Sequence, residues 1–383
     1  MNFELTEEQQ LVKEAAHRFL EAELAPLDKL HGDREMTREL AVSLLKKLEP
    51  FGYVGSERVE DPITASVLWQ ELGRVFPSLA GIAFIAGSAA RAVASWAHSE
   101  HKRLSEELLA SEVIGCMAYS EPAVGSDPSA IACRAERRGD NWVINGSKLW
   151  ISNGHIADVA IVTAQTDSAK GVAGLKRLIV DRRVSPFTSR DVSTIGLRAF
   201  PTSELHFDDV RVPLVNELGF GREPRSAPRQ GGGSVANFNG ARVLCADVSC
   251  GIAEHAIEVA TRYVQERRQF GREIGRFQLV QGLIADMVMD WEAARLLTFR
   301  ARATMDGPDA DRCVSIAKAF ATEMGVRVTS KAMECLGAMG LAEETGLERR
   351  FRDARMWIVP DGTAQIQRLI IGRAVTGLSA VRG

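Results

Sequence analysis

The period of the apolar residues changes twice along the 383-residue chain, and this constrains the fold more than any single motif. Up to about residue 115 the spacing is helical. Thr6-Glu-Glu-Gln9 has the form of a capping box, and Leu11, Val12, Ala15, Phe19 and Leu20 then follow one helix face. Stretches 40–48, 65–75, 80–97 and 104–109 continue the pattern. Near Cys116 the pattern becomes that of strands. Segments 159–163, 177–181 and 203–213 read as strands, the last with clean alternation. Segment 142–151 reads as two apolar runs joined through Asn145-Gly146, the signature of a hairpin. Residues 219–233 are rich in Gly, Pro and Arg and read as a connector. After them, 236–265, 278–305, 312–336 and 364–375 are long and periodic enough for the helices of a bundle. A β segment between two helical blocks separates into layers more readily than it forms a parallel α/β sheet. The expectation is a mainly α chain with a central β domain: a helical domain over 1–115, a β domain over 116–225 and a helical bundle domain over 234–383.

Composition removes several classes of function. A net charge of −3 gives no global basic surface, so no nucleic-acid partner is expected. No uninterrupted run of 18 apolar residues occurs, so no membrane insertion is expected, and the acidic N-terminus lacks the form of a secretory signal. The six cysteines (Cys116, Cys133, Cys245, Cys250, Cys313, Cys335) are scattered without a Cys-x-x-Cys pair. They read as free thiols of a reducing cytoplasm, and no metal site is expected.

Taken singly, the polar motifs are weak. Trp357-Ile-Val-Pro-Asp361-Gly-Thr-Ala-Gln-Ile-Gln-Arg368 puts one carboxylate in a Pro-Asp-Gly turn before a helix, and alone this is an ordinary turn and cap. Arg267-Arg-Gln-Phe-Gly271 has guanidinium forks suited to a pyrophosphate, and equally the composition of a solvated helix end. Leu336-Gly-Ala-Met-Gly340 reads as a phosphate-approach loop or a helix C-cap, without the strand–turn–helix setting of a dinucleotide fingerprint. Arg91, on an apolar helix face, suits either an inter-helix ion pair or a substrate carboxylate.

Together these segments carry more. Tyr119-Ser-Glu-Pro, Leu149-Trp-Ile-Ser-Asn-Gly154, Arg267-Arg-Gln-Phe-Gly271 and the Asp361 turn stand in the order and spacing of the acyl-CoA dehydrogenases, which the chain resembles over nearly its whole length. The resemblance implies an N-terminal helical domain, a middle β-barrel or sandwich and a C-terminal four-helix bundle enclosing FAD and an acyl thioester. It implies that Tyr119 and Ser120 line the flavin and that Ser126 lies near the CoA portion. Trp150 and Ser152 pack on the isoalloxazine, with the Ser152 hydroxyl toward N5. Arg267, Gln269 and Phe270 reach the dinucleotide half of a neighbouring subunit's FAD, and Gly337, Thr363 and Gln365 contact FAD. Arg242 and Gly362 help to place the substrate. Asp361 stands where the family carries its base, most often a glutamate in Tyr-Glu-Gly-Thr; the alternative base position on the first helix of the C-terminal domain falls at Ala241, which cannot serve.

The departures from the pattern are specific. Serines at 120 and 152 replace threonines and keep the hydroxyl. Glu334 stands for a glutamine and Ala338 for a glycine, which puts a carboxylate near the expected phosphates. Between Phe51 and Thr64 the usual Pro-Glu-Glu-x-Gly-Gly stretch is absent. The reaction implied is α,β-dehydrogenation of an acyl-CoA, with Asp361 as α-proton base, hydride transfer to flavin N5 and electrons passed to an electron-transfer flavoprotein by a homo-oligomer, a tetramer or a dimer. Aspartate is one methylene shorter than glutamate, a difference on the order of 1 Å, and the added room suits an α-branched or alicyclic acyl group. Nitroalkane-type oxidation, redox-neutral β-elimination and dehydrogenation on an acyl-carrier protein stay open at this stage.

Overall fold

The computed structural model of the chain describes residues 4–54, 59–221 and 238–380. Residues 222–233 of the expected connector, the boundaries placed at 225 and 234, and part of the substituted stretch after Phe51 therefore lie outside the described residues. Six helices come first: α1 (Glu7–Glu23), α2 (Ala25–His31), α3 (Arg38–Lys47), α4 (Pro62–Val75), α5 (Pro77–Trp96) and α6 (Lys102–Leu109). Thr6 caps α1 through the capping box foreseen from its sequence, and Asp61 caps α4 by accepting from Thr64 N at 2.7 Å. By length and composition α5 suffices to cross a membrane. The uninterrupted-run test missed it because Ser78, Ser88 and Arg91 break the run, and 61% of its apolar window is buried inside the fold.

A curled sheet follows: β1 (Gly115–Ala118), β2 (Arg134–Arg138), β3 (Asn141–Ser152), β4 (Val159–Gln165), β5 (Leu175–Asp181), β6 (Thr188–Asp191) and β7 (Thr202–Pro213), in the order β1-β4-β2-β3-β7-β6 with β5 on the other edge of β4. The expected hairpin at Asn145-Gly146 is not there. β3 runs straight through it for 12 residues, antiparallel to β7. Register shifts by one at this point, and Asn145 spans the resulting bulge: its Nδ2 donates to Asp209 Oδ1 and its Oδ1 accepts from Asp209 N, both at 2.9 Å. Gly146 is required for packing, since a Cβ there would stand 2.8 Å from Cys133 Cα.

The last block holds α7 (Asn239–Glu266), the small hairpin β8 (Arg268–Gln269) and β9 (Arg272–Glu273), then α8 (Gln278–Ala303), α9 (Ala310–Leu336), α10 (Leu347–Met356) and α11 (Ala364–Thr376). Helix α10 escapes the apolar-period reading because its inward face carries Arg350 and Asp353, which are buried and paired rather than apolar. Helices α7, α8, α9 and α11 form the bundle. The N-terminal block is not independent of it. One core joins Leu20, Leu44, Leu72 and Phe76 to Leu244, Val248 and Ile252 of α7 and to Ala354 and Trp357. Helices α4 and α7 approach through glycine, because a Cβ on Gly251 would stand 2.0 Å from Gln70 O. Beside this crossing Asp247 is fully buried, accepting from Ser66 Oγ and from Arg302 Nε at 2.9 Å.

Candidate active site

The carboxylate singled out from the sequence sits at the entry to α11. Asp361 has φ 58° and Gly362 φ 93°, so two consecutive residues are left-handed. Aspartate tolerates this region better than most residues, and glycine is needed at 362, where a Cβ would meet Gln367 Nε2 at 2.8 Å. The loop is held from behind. Arg242 Nε of α7 donates to Asp361 O at 3.0 Å, and Gln367 Nε2 of α11 donates to Gly362 O at 2.8 Å. Lys318 Nζ of α9 donates to Ile358 O at 2.6 Å and Gly362 O at 2.9 Å. Thr363 caps α11, accepting from Ile366 N at 3.4 Å, and the neighbouring Gln365 is exposed. The Asp361 carboxylate is partly exposed, with Cys245 Sγ 3.9 Å from its Oδ2. Burial pushes its pKa up from the ordinary carboxylate value, opposed by the charges of Lys318 and Arg242. Burial likewise pushes Lys318 down from the usual lysine range.

Arg242 is nearly buried and lies behind the loop's backbone, and its guanidinium is 5.9 Å from the Phe238 ring. Phe238 in turn meets Tyr119 edge-on at 5.7 Å. This chain of contacts connects the Asp361 loop to the sheet. There, Leu149 N donates to Ser120 O at 3.0 Å, so Tyr119-Ser120 runs alongside the Leu149-Trp150 segment. Trp150 lies in a bulge, at a register shift between Lys148 and Ile151, with φ 65° and its indole 58% exposed. Ile151 points into the core, and Ser152 returns to the open side, half-buried. A bulky side chain held left-handed and outward is strain at a surface, a common mark of a ligand site. Lys148, fully buried, fixes the neighbouring segment by donating to Tyr119 O at 2.9 Å and Glu121 Oε1 at 2.8 Å.

The remaining residues lie elsewhere. Ser126 is exposed in the loop after β1. Arg267, Gln269 and Phe270 follow the far end of α7, and Phe270 is 93% exposed at the hairpin tip with φ 52°. Arg267 is 25 residues beyond Arg242, about 37 Å at the helical rise. Gly337 ends α9 with φ 59°, the C-cap alternative, and Gly340 packs on Met333, where a Cβ would stand 2.3 Å from its carbonyl oxygen. Arg91 is half-buried, its guanidinium folded over Gly87. Sequence reasoning missed Lys318, Cys245, Gln367, Lys148 and Phe238. For Lys318 a signal exists: it falls on the helix face of Val314, Ala321 and Gly325, where a lysine is out of place unless it has a task.

Comparison with known proteins agrees along the whole chain. The family description "Acyl-CoA dehydrogenase, middle domain" matches residues 116–210, and "Acyl-CoA dehydrogenase, C-terminal domain" matches residues 233–376. The cyclohex-1-ene-1-carbonyl-CoA dehydrogenase of Geobacter metallireducens is 35% identical over 385 residues, covering 97% of this chain and 98% of that one. The butyryl-CoA dehydrogenase structure from Megasphaera elsdenii superposes with TM-score 0.86 at 30% identity, covering 98% of this chain and 100% of that one. A glutaryl-CoA dehydrogenase from Mycobacterium smegmatis in complex with FADH2 superposes with TM-score 0.86 at 26% identity, covering 99% and 97%. The outward indole of Trp150 and the half-buried Tyr119, Ser120 and Ser152 together present a flat apolar surface edged by hydroxyl groups. From the agreement of fold, family descriptions and relatives, this chain belongs to the acyl-CoA dehydrogenase family and is an FAD-dependent acyl-CoA dehydrogenase.

Proposed function

We propose that Asp361 is the base that removes the α-proton of an acyl-CoA whose acyl group is α-branched or alicyclic. The observation that carries this reading is the loop itself: a partly exposed carboxylate on a left-handed backbone, reached from the sheet through Tyr119 and Phe238 and backed by two cations. Burial raises its pKa, which brings the carboxylate closer to the range useful for proton abstraction. Its backbone N–H assists by favouring the developing enolate. Aspartate's shorter reach requires the α-carbon to come nearer the loop, and Pro360 in place of an aromatic leaves room for a wider acyl group there. The alicyclic substrate named for the Geobacter relative supports the same choice.

Bound FAD would supply the hydride-accepting chemistry that the β-hydrogen requires. Around it we assign Tyr119, Ser120, Trp150 and Ser152 to the ring and Thr363 and Gln365 to the adjoining portion, with Gly362 and Ser126 toward the thioester. Arg242 serves the substrate indirectly, by fixing the Asp361 carbonyl. The separation of Arg267, Gln269 and Phe270 from the Asp361 loop supports their serving a neighbour's FAD, together with Gly337, in a homo-oligomer that is a tetramer or a dimer. An electron-transfer flavoprotein is the expected acceptor, and the six buried free thiols suit a cytoplasmic location.

The test is anaerobic flavin bleaching with straight-chain, α-branched, alicyclic and dicarboxylic CoA thioesters, in the wild type and in Asp361→Asn. Bleaching strongest with one of the two bulky classes, and abolished in the FAD-loaded variant, supports the proposal. Bleaching at an unchanged rate in the variant removes Asp361 as base. Failure with every thioester moves the reading to nitroalkane oxidation, redox-neutral elimination or a carrier-protein substrate.

A further inference from the structure

We propose that Lys318 is a positioning residue for this reaction: buried behind Asp361, it ties both shoulders of the 358–362 loop and so fixes where the carboxylate points. The proposal rests on Asp361 being the base. A lysine with no exposed surface is held at the cost of desolvating an ammonium group, and the site accepts that cost. Two of its three N–H groups are engaged on the loop: one donates to Ile358 O at 2.6 Å before Asp361 and another donates to Gly362 O at 2.9 Å after it. A five-residue span is thereby pinned at both ends to the middle of α9, a helix packed along α7 and α11. Arg242 and Gln367 hold the centre of the span through the Asp361 and Gly362 carbonyls. Without Lys318 the left-handed pair at 361 and 362 keeps the bonds from Arg242 and Gln367, while Ile358 O loses its lysine donor and Gly362 O keeps only Gln367. An error on the order of 1 Å at a base already short by a methylene reduces the rate by roughly 100-fold.

The ammonium has a second effect. The charged and titratable groups facing Asp361 are Lys318 from α9, and Arg242 and Cys245 from α7. Asp311 of α9 acts on Arg242, and Glu323 of α9 acts on Lys318. Lys318 heads the groups that oppose the effect of burial on the carboxylate. Removing its charge raises the pH at which Asp361 ionises, a change that a merely structural lysine would not produce.

The experiment compares Lys318→Met, which removes donors and charge, with Lys318→Gln, which keeps a donor and removes the charge. Each is studied as the FAD-loaded enzyme alongside Asp361→Asn. Single-turnover flavin bleaching is followed across pH with the thioester that reduces the wild type fastest, and thioester affinity is read from the flavin spectrum. The expected result is a rate about 100-fold lower in Lys318→Met and about tenfold lower in Lys318→Gln, with affinity within about threefold of wild type. In both, the acidic limb of the rate moves to higher pH. Lys318→Gln decides the matter if the methionine variant does not fold. An unmoved acidic limb and a rate within about twofold of wild type, with Asp361→Asn inactive, overturn the role of Lys318 and leave the base assignment standing. An active Asp361→Asn overturns the base assignment instead.

Discussion

Replacing Gly251 by alanine tests whether α4 and α7 touch as closely as described. A Cβ on Gly251 would stand 2.0 Å from Gln70 O and 2.6 Å from Arg74 N. Both are backbone atoms of a packed helix, so neither can swing aside as a side-chain end would. The helices have to separate by about 1 Å to restore ordinary contact, which for overpacked cores costs about 1–3 kcal/mol. The separation also weakens the buried bonds of Asp247 to Ser66 and Gln70, one turn earlier on α7. Working against this, alanine is the better helix former by about 1 kcal/mol. Gly282 in α8 isolates that gain, because a Cβ there meets nothing within 4 Å. Urea unfolding by circular dichroism, with refolding checked, should therefore give opposite signs: Gly251→Ala destabilised by about 1–2 kcal/mol net, Gly282→Ala stabilised by about 0.5–1 kcal/mol. If Gly251→Ala is as stable as Gly282→Ala, the close crossing is wrong.

Two other outcomes are expected. Asp353, buried and accepting from Leu197 N at 2.6 Å, has its pKa pushed by burial from 3.8 to about 6. The folded chain then binds more protons than the unfolded chain in that window, so this contribution to stability is full below about pH 4 and is lost as pH rises through about 6. Relative to Asp353→Asn, which keeps the acceptor, the wild type should lose on the order of 2–3 kcal/mol across the window, measured by urea midpoints at each pH; parallel profiles would refute this. Trp150→Ala removes the outward indole without touching the core and should release FAD, read as loss of flavin absorbance after gel filtration; full retention would exclude Trp150 from the flavin wall.

Much of this fold is legible in the sequence where burial follows a regular period. Helices α4, α5, α7, α8, α9 and α11 came within a few residues of their ends; α4, α5, α7 and α9 each bury a continuous face, whereas α8 and α11 were legible from apolar spacing that this chain leaves largely exposed. Asn145-Gly146 misled because the pair suits a turn as well as a bulge, and only the partner strand, some 60 residues later, decides between them. The Asp361 loop, its neighbours in sequence and the Trp150 segment were legible as motifs. Of the groups that hold the loop, Arg242 was singled out for the substrate rather than for the loop, and Lys318 and Gln367 were not singled out. Lys318, Arg242 and Gln367 act on backbone carbonyls, and such bonds leave no pattern of residue types in the loop they support.

The core shared between the N-terminal helices and α7 has a consequence for how the protein is made. Leu20, Leu44, Leu72 and Phe76 bury against residues at 244–252 and against Ala354 and Trp357. At a synthesis rate of about 5–20 residues per second, roughly 12–50 seconds pass between the emergence of the sixth helix and that of Trp357. The partners at 244–252 follow the sixth helix by about 7–27 seconds, and until then the first helices carry apolar faces that are not yet fully covered. The nascent chain is thus a prolonged client for chaperones, and a ribosome stalled within the sheet would present an aggregation-prone fragment.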